Sequence, residues 1–301
     1  MNEPKNLAAS IHQRLLNQAH ETGRPFNELL QYYAIERFLY RLSKSAYRGD
    51  FVLKGALMLN VWGLEGSRST RDIDLLGHTS NAVEQIVKSM REICLQMVEQ
   101  DGLEFDPKNV QGARIKEDAD YEGVRVTFTG ALGKARVHMQ IDIGFADVVN
   151  PAPVLTTYPS LLQMPAPRLR VYPMETVVSE KLQAMVALGE VNSRMKDFYD
   201  LWLLASNFEF DGYRLQKAVQ KTFENRETAF PDGIPVALAP KFAKDKEASW
   251  QAFLKRSNLG KDAPSLVEAM DVIRSFLAPV LGACYSKKRW ESVWSLKNKW
   301  K

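Results

Sequence analysis

The sequence has 301 residues, 45% hydrophobic and 25% charged, which is typical of a folded globular protein and excludes a disordered chain. It has no apolar run near 18 residues and no basic segment followed by an apolar one at its N-terminus, so we expect a cytoplasmic protein with no membrane partner. The two cysteines lack metal-ligand spacing, and the net charge of +4 permits a nucleic-acid partner without requiring one.

Residues 7–45 have the apolar spacing of two helices separated by the turn Thr22-Gly23-Arg24-Pro25. We expect these helices to cap the sheet that follows. Their basic side chains either contact a polyanion or belong to a solvated helix face. These side chains are Arg24, Arg37, Arg41, Lys44 and Arg48.

Residues 51–77 predict a strand, a glycine turn, a short helix and a second strand. The turn contains Gly55, and the second strand begins Asp72-Ile73-Asp74. Side chains two residues apart on a strand share a face, so Asp72 and Asp74 point the same way. Such a pair either holds a hard cation such as Mg²⁺ or forms an exposed acidic turn. Backbone N–H groups of the glycine turn are suited to a phosphate.

Ser80 or Asn81 can cap a helix that runs to about Gln100. Cys94 lies on the apolar stripe of this helix, so we expect a buried, reduced thiol. The helix is predicted to be structural.

Two strands follow, in which apolar and polar residues alternate at 124–129 and 136–143, and Ala131-Leu132-Gly133 between them suits a hairpin turn. Asp142 ends the polar row of the second strand. It is either a third carboxylate beside the D-x-D pair or a solvent-facing strand end. His138 in the same row is either a surface group or a neighbour of the substrate.

Residues 150–173 contain six of the 14 prolines, which predicts a domain boundary or an irregular crossing. We therefore predict an α/β domain over residues 1–150 and a mainly helical domain over residues 151–301. The predicted helices of the second domain cover residues 174–188, 194–204, 211–227, 245–256 and 264–281.

Lys181 occupies an apolar position on the first of these helices, between Val178 and Met185. A lysine is rarely buried without a partner, so Lys181 should meet an anion. Asp197 and Asp200 interrupt the apolar second helix and lie three residues apart, on one face. The two helices therefore offer a cation and a carboxylate pair to the same pocket.

The tail, residues 287–301, has six Lys or Arg side chains and three tryptophans. We predict a last helix docked through its tryptophans, with a solvated basic face. The alternative is a surface that stacks RNA bases.

The order of these motifs resembles the nucleotidyltransferases of the DNA polymerase β type. L-K-G-A-L with R-S-T-R-D-I-D-L-L is similar to the AbiEii/AbiGii (MenT-like) toxin family of type IV toxin–antitoxin systems. V-Y-P-M-E-T-V-V-S-E-K-L-Q-A and R-M-K-D-F-Y-D-L resemble the family's K-x-x-A and K/R-D-x-x-D-L motifs, so the likeness spans residues 50–205. It implies an α+β fold with a polymerase β-type core, a mixed sheet with flanking helices, followed by a helical C-terminal domain.

The resemblance implies catalytic roles for Asp72, Asp74, Asp142, Lys181, Asp197 and Asp200, with the first three binding two Mg²⁺ ions. The expected nucleotide-binding residues are Lys54, Gly55, Ala56, Arg68, Ser69, Thr70, Arg71 and Lys181. One departure is Gly55-Ala56, where related enzymes often have Gly-Ser or Gly-Gly, so no hydroxyl is present there to contact a phosphate.

The activity implied is Mg²⁺-dependent transfer of a nucleoside monophosphate from an NTP to RNA, at the 3′ end of tRNA. The expected outcome is blocked translation in an abortive-infection system, controlled by an AbiEi-like antitoxin. Two alternatives stay open. One is a non-catalytic nucleotide- or RNA-binding module, and the other is a nucleotidyltransferase that modifies a protein or a small molecule.

Overall fold

The computed structural model describes residues 6–64, 68–118, 121–259 and 263–301. The chain divides into two compact units, each built from several segments. Unit 1 comprises Met1–Gly63, Ser69–Ala146 and Val154–Val171, and unit 2 comprises Leu64–Arg68, Asp147–Pro153 and Tyr172–Lys301. The sequence predicted a single boundary after residue 150. In the structure, residues 64–68 and 147–153 belong to unit 2, and residues 154–171 belong to unit 1.

The described part of unit 1 has four α-helices, α1 (Leu7–Thr22), α2 (Phe26–Lys44), α3 (Leu57–Val61) and α4 (Val83–Cys94). Local signals set the ends of the first helix. The Asn6 side chain accepts a hydrogen bond from the Ala9 N–H at 3.0 Å, and Gly23 follows the helix with a φ of +70°. Pro25 then precedes α2. The predicted pair of N-terminal helices is confirmed.

Two basic side chains of α2 are buried, so neither sequence interpretation holds for them. Arg41 donates to both carboxylate oxygens of Asp101, at 2.6 and 3.0 Å. Arg37 pairs with Glu36, whose carboxylate also accepts from the Leu161 N–H at 2.7 Å. A buried charge requires such partners, and these pairs hold α2 in the core.

A mixed sheet forms the centre of unit 1, with the strand order β3-β5-β6-β2-β1-β8-β7 and with β4 also paired to β5. Strands β2 and β6 are parallel, as are β1 and β8, and the other neighbours are antiparallel. The predicted α+β class, with a mixed sheet and flanking helices, is confirmed. The strands are β1 (Phe51–Lys54), β2 (Asp72–Gly77), β3 (Leu103–Phe105), β4 (Gln111–Asp118), β5 (Tyr121–Leu132), β6 (Ala135–Phe145), β7 (Val154–Thr157) and β8 (Arg168–Val171).

The core of unit 1 packs α2 against the sheet. Phe38 of α2 contacts Phe105 and Phe128, with ring centroids 5.8 and 5.3 Å away. The predicted hairpin is confirmed as β5 and β6, but its turn lies at residues 133 and 134 rather than at 131–133, because Ala131 and Leu132 still pair with β6. Leu132 pairs with Ala135 across a two-residue turn, in which the first residue, a glycine, has a φ of +59°.

Helix α4 ends at Cys94, six residues before the predicted end. Met97 is 89% exposed, so the apolar stripe does not continue. The chain must leave the helix here because Asp101 turns inward to pair with Arg41. No side chain caps the start of the helix, which corrects the predicted capping by Ser80 or Asn81. Cys94 is buried as expected, and burial raises the pKa of its thiol to about 12.

Residues 154–171 contain strands β7 and β8, where an irregular crossing was predicted. Strand β8 alternates exposed and buried side chains, and its Val171 pairs with Leu53 of β1. Each strand has four residues and follows a loop rich in proline, which leaves too little alternation to recognise in the sequence.

The described part of unit 2 has five α-helices, and all five were predicted. Helix α9 begins with a capping box between Ser265 and Glu268, and Pro240 stands in the first turn of α8, five residues before the predicted start. The helices are α5 (Met174–Leu188), α6 (Met195–Asn207), α7 (Gly212–Asn225), α8 (Pro240–Arg256) and α9 (Leu266–Tyr285). None of the helices in the described ranges is long and apolar enough to cross a membrane.

The tail forms strands rather than the predicted last helix. Strands β10 (Val293–Ser295) and β11 (Lys299–Trp300) pair with each other, and β10 also pairs with β9 (Phe210–Asp211). Docking through tryptophan is confirmed. Trp294 is completely buried and donates to the carbonyl of Ala205 at 2.7 Å, and Trp300 donates to the carbonyl of Phe276 at 3.0 Å. Trp294 is therefore unavailable for stacking RNA bases.

Candidate active site

Asp72 and Asp74 lie at the start of β2, on the face of the sheet opposite to Ile73. Ile73 is completely buried, whereas the two aspartates are partly exposed. The strand register places Lys54, the last residue of β1, opposite Asp74. The prediction that both carboxylates share one face is confirmed.

Gly55 packs directly against Asp74. Its φ is +73°, and a Cβ atom built on it would overlap the Asp74 carboxylate. Both facts require a glycine here, so the turn restricts where the Asp74 side chain can lie. Helix α3, which follows, has only five residues, so its dipole contributes little to attracting an anion. The phosphate-binding role of Gly55 and Ala56 stays a prediction.

Asp142 lies on β6 directly opposite Asp74 on β2, so the predicted neighbourhood of the three carboxylates is confirmed. On its other side, Asp142 lies opposite Arg125 of β5. The Arg125 guanidinium donates through Nε and Nη2 to the two carboxylate oxygens of Asp142, each at 2.7 Å. Gln140 adds a contact at 3.3 Å. Four adjacent strands thus carry a row of charges in the order Lys54, Asp74, Asp142, Arg125.

The sequence did not single out Arg125, although it lies on the polar row of its strand. Its hydrogen bond to Asp142 raises the pKa of Arg125 against the opposing effect of burial, and the charges of Asp142, Asp72 and Asp74 raise it further. Arg125 is therefore electrostatically coupled to all three carboxylates. Locating the turn of the hairpin would have revealed the pair, because strand register follows from the turn.

Two side chains of α2 hold the segment that leads into β2, and the sequence also missed them. Gln31 donates through Nε2 to the carbonyls of Arg71 and His138, at 3.0 and 3.1 Å. The Tyr32 hydroxyl accepts from the Thr70 N–H at 3.1 Å. No local pattern indicates such contacts, because they join residues far apart in the chain.

A cavity of about 710 Å³ adjoins the start of β2 within unit 1. Its size lies in the range that holds small molecules and cofactors. The N-terminal part of α2, the segment 69–72 and the first half of β6 line it. The polar lining includes Asn27, Gln31, Arg71, Asp72, Arg136 and His138.

Four of the predicted site residues form a separate cluster in unit 2, namely Arg68, Lys181, Asp197 and Asp200. Lys181 Nζ on α5 lies 2.7 Å from Asp197 Oδ1 and 2.8 Å from Asp200 Oδ2, both on α6. Arg68 donates through Nε and Nη2 to the two oxygens of Asp200, each at 3.0 Å. Arg194, which the sequence did not single out, places Nε 2.8 Å from Asp197 Oδ2. The expectation that Lys181 meets an anion is confirmed.

Burial disfavours the charged forms in this cluster, but the ion pairs outweigh it. Lys181 and Arg68 lower the pKa of Asp200 to about 2. Lys181 and Arg194 lower the pKa of Asp197, and both aspartates raise the pKa of Lys181. Lys181, Asp197 and Asp200 are therefore all ionised at neutral pH and form a network of ion pairs.

The carboxylates at the start of β2 are donors of the kind that suits Mg²⁺, and the predicted number of two ions stays a prediction. Asp72 and Asp74 supply the hard oxygens that Mg²⁺ prefers, and substrate phosphates and waters usually complete such a site. Asp142 has both oxygens bound to Arg125. In the described ranges, no three His, Cys, Asp or Glu side chains are arranged to hold a metal ion.

Carboxylates on a mixed sheet beside a glycine turn are the arrangement expected of a nucleotidyltransferase, and the family match shows that the protein is of this class. The chain belongs to the AbiEii family, described as the nucleotidyl transferase AbiEii toxin of a type IV toxin–antitoxin system, whose model matches residues 37–272. The family implies a nucleotide substrate and an antitoxin partner. No curated protein is similar enough in sequence to count as a match.

Two solved structures from Helicobacter pylori are similar to this chain. One is the protein JHP933, with 13% identity and a TM-score of 0.49, covering 86% of this chain and 92% of that one. The other is described as a candidate nucleotidyltransferase, with 13% identity and a TM-score of 0.48, covering 86% of this chain and 95% of that one.

Proposed function

We propose that this nucleotidyltransferase transfers a nucleoside monophosphate from an NTP to RNA, at the 3′ end of tRNA, in the cytoplasm. Such transfer blocks translation until an AbiEi-like antitoxin counteracts the toxin. The observation that carries this proposal is the placement of Asp72 and Asp74 beside the Gly55 turn, next to a cavity of nucleotide size.

In the proposed reaction, the acceptor hydroxyl oxygen attacks the α-phosphorus of the NTP. The bond from that phosphorus to the bridging oxygen breaks, pyrophosphate leaves, and the hydroxyl proton passes to solvent. Bound Mg²⁺ supplies neutralisation of phosphate charge and favours loss of the acceptor proton. Asp72 and Asp74 would hold the metal, and Asp142 is proposed as the third carboxylate.

Several basic and polar groups are proposed to bind the triphosphate. An ammonium group has three N–H donors, and Lys181 directs its charge to Asp197 and Asp200, which leaves room for a further acceptor such as a phosphate oxygen. We therefore assign Asp197 and Asp200 to positioning Lys181. The remaining proposed nucleotide contacts are Lys54, Gly55, Ala56, Arg68, Ser69, Thr70 and Arg71.

The cavity beside Asp72 is proposed to receive the nucleoside or the acceptor end. Arg71, Arg136 and His138 line it together with the amides of Asn27 and Gln31. Cationic and amide groups suit phosphates, ribose hydroxyls and base edges. An Arg136→Ala variant should therefore raise the KM for one of the two substrates, while the melting temperature stays within about 2 °C, as for most surface substitutions.

The test is incubation of the protein with each α-labelled NTP, Mg²⁺ and total cellular RNA, followed by gel separation. Label should enter tRNA-sized RNA with one NTP, and Asp74→Asn should abolish it. Nuclease and protease digestions identify the acceptor. Label that survives nuclease but not protease would move the activity to a protein acceptor. Wild-type labelling no higher than that of Asp74→Asn would refute metal-dependent transfer.

A further inference from the structure

Arg125 forms an ion pair with Asp142, and Gln140 adds a longer contact to one of the same carboxylate oxygens. The Arg125 guanidinium contacts both oxygens at 2.7 Å in the two-pronged geometry that gives the strongest arginine–carboxylate pairs. The Asp142 side chain is 12% exposed and that of Arg125 is 43% exposed. Solvent can therefore reach the guanidinium more easily than the carboxylate that it covers.

Arg125 offsets the repulsion among three neighbouring carboxylates. Asp74 and Asp142 lie opposite each other on parallel strands, and Asp72 is two residues away on the same face. Like charges this close raise each other's free energy, and a nearby cation relieves the repulsion. Arg125 therefore supplies part of the positive charge that a second divalent ion would otherwise bring.

A metal ion and a guanidinium compete for the charge of one carboxylate. Each Asp142 oxygen already accepts a hydrogen bond from Arg125, so fewer lone pairs remain for a hard cation, and that cation must approach a site beside a positive charge. Competition with a charge-assisted pair in this partly buried site weakens the binding of any ion that needs Asp142.

We propose that Arg125 is a built-in cation that holds Asp142 and limits the nucleotide-free protein to one tight divalent-cation site, on Asp72 and Asp74. A second ion, which needs Asp142, binds weakly while Arg125 holds that carboxylate. This inference rests on the proposed metal-dependent function and concerns how many ions the site accepts. Arg125 thus acts as a positioning residue, through Asp142.

The test counts Mn²⁺ ions bound to the full chain without NTP, by calorimetry and by the spin-resonance signal of free Mn²⁺. Wild type should bind one ion tightly and a second ion only weakly. In Arg125→Gln the dissociation constant of the second ion should fall at least tenfold from the wild-type value, which is about 1.4 kcal/mol. The second ion should be lost again in Arg125→Gln with Asp142→Asn, because the gain depends on that carboxylate.

Arg168→Gln is the matched control, since it removes an exposed arginine from β8 of the same sheet and should behave as wild type. Arg125→Lys keeps the charge but loses the two-pronged contact, so its second ion should bind with intermediate affinity. It also serves if Arg125→Gln fails to fold.

Two tight ions in wild type, or an unchanged number in both Arg125 variants, would overturn the proposal. Asp74→Asn separates this failure from that of the proposed function. If Asp74→Asn loses Mn²⁺ while the Arg125 variants match wild type, the metal site stands and the role of Arg125 fails. If Asp74→Asn binds Mn²⁺ like wild type, the metal assignment itself fails.

Discussion

Replacement of Gly55 by alanine tests whether the glycine turn positions Asp74. Gly55 has a φ of +73°, and an added Cβ would overlap the Asp74 carboxylate. Gly63 provides a matched control, because its φ is +68° and an added Cβ would meet nothing within 4 Å. Both substitutions therefore bring the same backbone strain, but only Gly55→Ala disturbs the aspartate.

The expected magnitudes differ between the two variants. An alanine in the left-handed region costs about 1 to 2 kcal/mol, which applies to both. Overlap with the carboxylate forces Asp74 off its rotamer or shifts the backbone, adding roughly 1 to 3 kcal/mol for Gly55→Ala alone. If Asp74 holds the metal as proposed, a displacement of its carboxylate by about 1 Å should lower the transfer rate by about 10²-fold.

The measurements are urea unfolding without metal and labelled NMP transfer well below both unfolding transitions. Gly63→Ala should lose stability but keep transfer, and Gly55→Ala should lose both. Adding Asp74→Ala to Gly55→Ala removes the overlapping carboxylate, so it should recover part of the stability and none of the transfer. Equal stability and equal transfer in Gly55→Ala and Gly63→Ala would refute the role of the turn.

Three further predictions concern the two charge clusters. Asp72→Asn should abolish transfer while the metal-free melting temperature stays equal or rises, because carboxylate repulsion falls; full activity would remove Asp72 from the metal site. Lys181→Met should lower transfer by about 10²-fold. It should also destabilise unit 2 by about 3 kcal/mol, because Asp197 and Asp200 lose a buried partner. Normal NTP affinity, measured by direct binding to the folded protein, would contradict the phosphate role. Because the folded pKa of Asp200 is lowered from 3.8 to about 2, its contribution of about 2 kcal/mol is present above about pH 5 and disappears as the pH falls towards 2. Unfolding measured between pH 2 and 7 should therefore show a weaker acid dependence in Asp200→Asn, and parallel curves for the two proteins would contradict this.

Local patterns were enough to predict the elements that carry the site. The strand, glycine turn and D-x-D strand at residues 51–77, the β5–β6 hairpin and the five helices of unit 2 all have apolar residues at a clear period. Strand periodicity alone places Asp72 and Asp74 on one face. An apolar stripe interrupted by Lys181 likewise indicated a buried ion pair. These properties depend on neighbours within a few residues, which a sequence displays directly.

Non-local pairing decided what the patterns missed. Strands β7 and β8 are recognisable only through their partners in the sheet, and the tail becomes a hairpin because β10 pairs with β9, more than 80 residues earlier in the chain. Packing also ends α4 early, since Asp101 must reach Arg41.

The sequence alone determined which carboxylates share a face of the sheet, because residue type and strand period set the donors and the side on which they lie. Only the tertiary structure decided how those donors are shared. Counting seven residues back from Leu132 and seven forward from Ala135 leads to Arg125 and Asp142, but the count requires the turn of the hairpin to be known. The sequence signature of an aspartate does not show whether an arginine holds it, and the folded sheet decides this for Asp142 by bringing Arg125 within 2.7 Å.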